Sequence, residues 1–209
     1  MLQIIKAVFL SPVWPHLAFK WGTACYFLYG LERFSTDIDF DILHPEVKVD
    51  NDLMQVVKQF WKLTAGQRMV LSYGENETNI KIDVNRKIRK ANAYEEVNFF
   101  WTLIRVQTKA TIFANKLVAL LERMANRDMY DVYFFFQHLF EINEAVIEER
   151  TGKSLKEVLS LLLKQVRRLP KGYKVLDGLG EVLTEQQKSR VRGHLVEELR
   201  GMLEMMVKF

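Results

Sequence analysis

The six residues Asp37-Ile38-Asp39-Phe40-Asp41-Ile42 constrain this chain more than any other stretch, because acid and apolar side chains alternate through them without a break. Strict period two is the pattern of a half-buried strand. It puts Asp37 and Asp39 on one face, with Cα atoms ~6.7 Å apart, and turns Ile38 and Phe40 to the core. Two carboxylates held ~5 Å apart repel by ~3 kcal/mol at an effective dielectric of about 20. A fold that lines up such a pair needs a cation between them or generous hydration. Hard oxygen donors without sulfur or imidazole suit magnesium or manganese. The plainer reading is a solvated acidic face, and the low strand propensity of aspartate, repeated three times, stands against it.

Around this strand the first half mixes periods. Lys20 to Tyr29 is apolar and aromatic and opens a helix from Thr23. Asp52 to Leu63 has helical spacing, with Asp50, Asn51 or Asp52 as its cap. Met69–Tyr73 and Asn79–Val84 read as strands joined by a turn at residues 74–77, and Asp83 lies on the polar side of the second. If that strand pairs with 37–42, three carboxylates come together, the usual arrangement for in-line phosphoryl and nucleotidyl transfer on two metals. The second half reads as helices over Thr111–Ala125, Asp128–Glu141, Ser154–Leu169 and Thr184–Val207. The expected organisation is an α/β core over 1–100 and a helical domain over 101–209.

Composition narrows the classes. At 49% hydrophobic and 12% aromatic, the chain is neither a disordered tail nor a disulfide-stapled scaffold. Cys25 alone forms no internal disulfide and reads as packing, which fits a reducing, cytoplasmic setting. The four histidines never fall at metal-ligand spacing, which argues against a His-based zinc site. No run reaches the ~18 apolar residues of a membrane span, and Pro12 and Pro15 break the apolar N-terminus, which reads as mature and soluble. The net charge of +4 lies wholly in residues 101–209, with 18 basic against 14 acidic side chains. Lys81–Lys90 and Lys164–Lys174 each hold five basic residues, of the kind that can meet phosphate or simply face solvent. Gly152-Lys153-Ser154 fails as a P-loop, because Ile147 stands where the motif needs glycine.

Lys20-Trp21-Gly22-Thr23, then thirteen residues, then Asp37-Ile38-Asp39 resembles the nucleotidyltransferase superfamily that includes DNA polymerase β. There a glycine turn opening a helix cradles phosphate and the downstream carboxylates hold metals. Gly22-Thr-Ala24, Tyr29-Gly30, Arg33-Phe-Ser35 and Asp37-Ile-Asp-Phe40 look like the AbiEii/AbiGii-type toxin nucleotidyltransferases. A second block agrees: Ala114-Asn-Lys116-Leu-Val-Ala119, Arg123, and Arg127-Asp128-x-Tyr130-Asp131. With Ile80–Asp83 between them, the two blocks span residues 20–136. Trp21 departs from the pattern, standing where the family has its first glycine, and Thr23 replaces a serine.

The resemblance implies an α+β fold, with a nucleotidyltransferase-like mixed sheet and flanking helices followed by a C-terminal helical bundle. It implies Asp37, Asp39 and Asp83 as ligands of magnesium or manganese, and Gly22 and Thr23 on the nucleotide phosphates. Lys116 would reach the triphosphate as a point charge, and Asp128 and Asp131 would complete the site. Arg33 and Ser35 are further nucleotide contacts. Asp131, in an apolar run, needs a cationic partner, Arg127 or Lys116. The implied activity is NMP transfer from an NTP to a hydroxyl of RNA, particularly a tRNA 3′ end, by the toxin half of a toxin–antitoxin or phage-defence pair, with an antitoxin as partner and no membrane. The rival expectations are a nucleotide-binding regulator that has lost turnover and a helical RNA-binding module.

Overall fold

The computed structural model describes residues 1–60, 63–64, 69–71 and 79–208. Two compact units emerge, one made of 1–30, 34–89 and 93–108, the other of 31–33, 90–92 and 109–209.

The first unit is built on a seven-stranded mixed sheet of β1 (Leu17–Lys20), β2 (Asp37–Ile42), β3 (Leu63–Thr64), β4 (Met69–Leu71), β5 (Ile80–Asn85), β6 (Tyr94–Phe99) and β7 (Thr102–Gln107). Their order is β3-β4-β5-β2-β1-β7-β6. The acid–apolar alternation forms β2 with the expected bounds. It lies antiparallel to β1 and parallel to β5, so Asp39 is in register with Asp83 and Asp37 with Lys81. Ile38, Phe40, Ile80 and Ile82 are buried on the opposite face. Helices α1 (Leu2–Phe9), α2 (Trp21–Leu28) and α3 (Asp50–Lys58) accompany the sheet. Phe9 of α1 meets Phe40 edge-on, with ring centroids 6.0 Å apart. The apolar N-terminus is thus a core helix, with Ile4, Ile5 and Val8 buried. Cys25 is buried in α2, as a packing residue should be.

The structure departs from the sequence reading at α3 and at the β6–β7 hairpin, and one expected turn is untested. Helix α3 starts at Asp50 and is not capped by a side chain: Asp50 and Asp52 lie inside its first turn, where the dipole favours acids. Strand β4 covers Met69–Leu71, and the rest of the expected strand and the turn at 74–77 lie outside the described residues. The hairpin β6–β7 was not legible at all. Its turn is Phe100-Trp101, both at positive φ (47° and 66°), where Asn-Gly is the usual signal.

The second unit is helical: α4 (Lys109–Arg123), α5 (Asn126–Gln137), α6 (Glu144–Thr151), α7 (Leu155–Arg167) and α8 (Glu185–Lys208). Helix α5 is buried over nearly its whole length, as its all-round apolar sequence requires. Val191, Leu195, Leu199 and Leu203 form the buried stripe of α8. The Gly152-Lys153-Ser154 sequence is a helix end followed by a helix start. Gly152 closes α6 in the left-handed conformation, and Ser154 forms a capping box with Glu157 at the head of α7. No helix among the described residues is long and apolar enough to cross a membrane.

Candidate active site

In the first unit the polar face of the sheet carries three carboxylates that β2 and β5 bring into one neighbourhood. Asp37 and Asp39 are half-buried and Asp83 is exposed. The expectation that Asp83 would stand beside the other two if its strand paired with β2 rested on topology, and the parallel register supplies it. Among the described residues no three His, Cys, Asp or Glu side chains converge as a ready metal cage. The oxygen donors are therefore a register pair, Asp39 and Asp83, with Asp37 one alternate position along.

Asp41, next on the same side of β2, has a different fate. It is 3% exposed and accepts from Lys20 Nζ at 2.7 Å, Asn85 Nδ2 at 2.7 Å, Tyr94 Oη at 3.0 Å and Gln107 Nε2 at 2.6 Å. These partners fill about the four acceptor positions a carboxylate offers. Four strands, β1, β5, β6 and β7, thus converge on one side chain. The sequence shows only the alternation and not these partners, which lie 21 to 66 residues away.

Helix α2 begins beside this face. Gly22 and Thr23 are buried in its first turn, and the Thr23 hydroxyl donates to the Asp37 carbonyl, fastening that turn to the start of β2. Trp21 takes φ +63°, a left-handed conformation that glycine adopts freely and a bulky side chain only at a cost. This is the physical reason a glycine fits the position. The Lys20 ammonium sits 5.1 Å from the Trp21 ring centre. Ser35, two residues before β2, is 8% exposed.

The second unit holds the other motif residues in a chain of alternating charge. Lys116 Nζ lies 2.8 Å from Asp128 Oδ1 and 2.8 Å from Asp131 Oδ2. Arg33 grips Asp131 with two donors, Nε at 2.5 Å and Nη2 at 2.7 Å. Arg123 Nε closes on Asp128 at 2.6 Å. Arg33, Lys116, Asp128 and Asp131 are all nearly or fully buried. Of the two partners expected for Asp131, Lys116 is present and Arg127 is not. Arg127 Nε donates instead to the Gly178 carbonyl at 2.5 Å. Nothing local in the sequence pointed to Arg33 as a partner of Asp131, which lies 98 residues away.

Burial alone would push the Lys116 ammonium toward neutrality, but Asp131 and Asp128 outweigh it and hold its pKa above the usual lysine value. Burial likewise works to raise Asp128, and Lys116 and Arg123 overcome it, leaving the carboxyl at about 2. Lys116 is therefore a fixed positive charge near neutral pH and not a proton acceptor.

The comparisons with known proteins bear on the family and the fold. Residues 3–171 match the family described as "Nucleotidyl transferase AbiEii toxin, Type IV TA system". No curated protein matches the chain. Among solved structures, JHP933 from Helicobacter pylori is similar at 21% identity and TM-score 0.58, over 98% of this chain and 88% of that one. A candidate nucleotidyltransferase of H. pylori has 20% identity and TM-score 0.63, over 98% of this chain and 90% of that one. An antigenic nucleotidyltransferase-like protein from Paracoccidioides brasiliensis has 14% identity and TM-score 0.55, over 84% of this chain and 91% of that one. At these identities the structures speak for the fold, and the α+β nucleotidyltransferase-like architecture is theirs as well. The family match covers most of the sequence, including both motif blocks, and on that ground the chain belongs to the AbiEii family of nucleotidyltransferase toxins.

Proposed function

We propose that this chain transfers a nucleoside monophosphate from an NTP to a hydroxyl of RNA, with magnesium or manganese on Asp37, Asp39 and Asp83. The observation that carries the reading is the β2–β5 register, which sets Asp39 opposite Asp83 on the polar face of the sheet. These hard oxygen donors fit the ion. Magnesium binds through one or two carboxylates and keeps water and substrate phosphates as its other ligands, so it needs no three-carboxylate cage. When bound, it supplies charge neutralisation on the phosphates and a more acidic attacking hydroxyl.

The chain's own groups do the rest. Backbone N–H groups at Gly22 and Thr23 take phosphate oxygens at the head of α2. The Thr23 hydroxyl is committed to the Asp37 carbonyl, so the contribution of this residue is its backbone. Asp83, exposed at its register position, completes the set of oxygen donors. In the second unit Lys116 holds a permanent positive charge, and Arg33, Asp128 and Asp131 fix its position and its protonation. Ser35 adds a nucleotide contact ahead of β2. An RNA acceptor, a tRNA 3′ end in particular, is part of this proposal, as is an antitoxin partner. The exposed basic residues of 164–174 suit RNA.

The test is incubation with each NTP, magnesium and total RNA, followed by mass analysis of the RNA and the protein. One added NMP on RNA, absent with Asp39→Ala, supports the reading; transfer that survives Asp39→Ala rejects it. The strained Trp21 favours a second reading, a nucleotide-binding protein without turnover. That reading expects thermal stabilisation by NTP and no transfer to any acceptor.

A further inference from the structure

The antiparallel pairing of β1 with β2 brings together two histidines that are 28 residues apart. His16 precedes β1 and His44 follows β2, and the Leu43 amide donates to the His16 carbonyl at 2.8 Å, extending the ladder to both. The two Nδ1 atoms share a hydrogen bond at 3.1 Å, which a metal ion would replace once that proton moves to Nε2, and the rings stand nearly perpendicular at 87°. His44 is exposed and His16 half-buried, so solvent reaches the pair.

No spacing along the sequence shows this pair, which strand pairing alone creates. We infer that His16 and His44 form a two-imidazole chelate for a borderline divalent transition ion such as nickel. Imidazole nitrogens bind these ions at ~2.0–2.1 Å, and a 3.1 Å separation then subtends an angle of about 100° at the metal, close to tetrahedral. The donor type separates this site from Asp37, Asp39 and Asp83, whose oxygens suit harder ions. The nearby Arg105 guanidinium, bound to the Pro15 carbonyl at 3.0 Å, is offset by Glu96 at 2.8 Å, so it does not leave an unbalanced positive charge beside the pair. Among the described residues no third protein ligand joins the two imidazoles. The ion keeps open positions for water or an exogenous donor.

The test is calorimetric titration of NiCl2 into the chelator-treated full chain with excess MgCl2 present. One nickel per chain is expected, with affinity falling at least ~10-fold in His16→Asn and in His44→Asn, and unchanged in Asp39→Asn. Proton NMR of the unmodified chain checks the assignment without a variant: nickel broadens the His16 and His44 imidazole resonances and spares His138 and His194. Absence of binding, undiminished binding by both histidine variants, or broadening confined to His138 and His194 overturns the inference.

Discussion

Lys116 is 3% exposed, with two carboxylates on its ammonium, and its removal would strand Asp128 and Asp131 as buried, under-compensated charges. Breaking such a network from one side costs ~3–5 kcal/mol. Lys116→Ala is expected to lose that much in urea denaturation. Arg123→Ala, whose side chain is 52% exposed, is expected to lose ~1 kcal/mol or less. Asp128 adds a pH signature. Its carboxyl falls from 3.8 to about 2 on folding, so its contribution is complete above pH 4 and is lost as pH drops from about 4 to 2. The loss is on the order of 2 kcal/mol. Stability against pH, measured for the unmodified chain and for Asp128→Asn, should differ in slope across that window and run parallel above it. Trp21 makes the opposite argument. A large residue in the left-handed region costs ~1–2 kcal/mol, which Trp21→Gly recovers while giving up the packing of the indole ring. This substitution should change the melting temperature little and tighten NTP binding, read as a larger nucleotide-induced thermal shift.

Among the elements, β2 and β6–β7 mark what a sequence can and cannot show. The alternation in β2 is visible because one face is buried and the other polar over six residues. Helices α4, α5, α7 and α8 were legible within two residues at each end except for α5, which stops at Gln137. The hairpin escaped notice because Tyr94–Phe99 is an edge strand of mixed exposure and Phe100-Trp101 carries no turn signal. The carboxylate neighbourhood was half legible: spacing along a strand gave Asp37 with Asp39, but only pairing gives Asp83. Asp41 and Arg33 take their roles from partners in distant elements, which no local pattern records. The hairpin also yields a prediction of its own. Trp101 is 95% and Phe100 55% exposed, so neither gains much burial for its strained φ. Phe100→Asn with Trp101→Gly should stabilise the chain by ~1–2 kcal/mol, a melting shift of a few degrees upward; a fall would show that the aromatic tip packs in solution.

For the molecule as a whole, the modest +4 conceals an uneven distribution. The strand half balances its charges around an acidic site, and the helical half carries the surplus, with Lys164, Arg167, Arg168, Lys171 and Lys174 all exposed. If RNA is the acceptor, neutralising Arg168, Lys171 and Lys174 should weaken its binding. The slope of log affinity against log salt should flatten by ~0.7 for each phosphate that is no longer neutralised, while the carboxylates of β2 and β5 stay untouched. The central claim concerns the bond that is broken. Attack on the α-phosphorus sends the α-phosphate to the acceptor and releases the γ-phosphate within pyrophosphate. The direct measurement is therefore transfer from NTP labelled at one or the other position, with magnesium, for the unmodified chain and Asp39→Asn. The account expects α-label on the acceptor, no γ-label, and neither with Asp39→Asn. Appearance of γ-label on the acceptor, or α-label undiminished by Asp39→Asn, would contradict it.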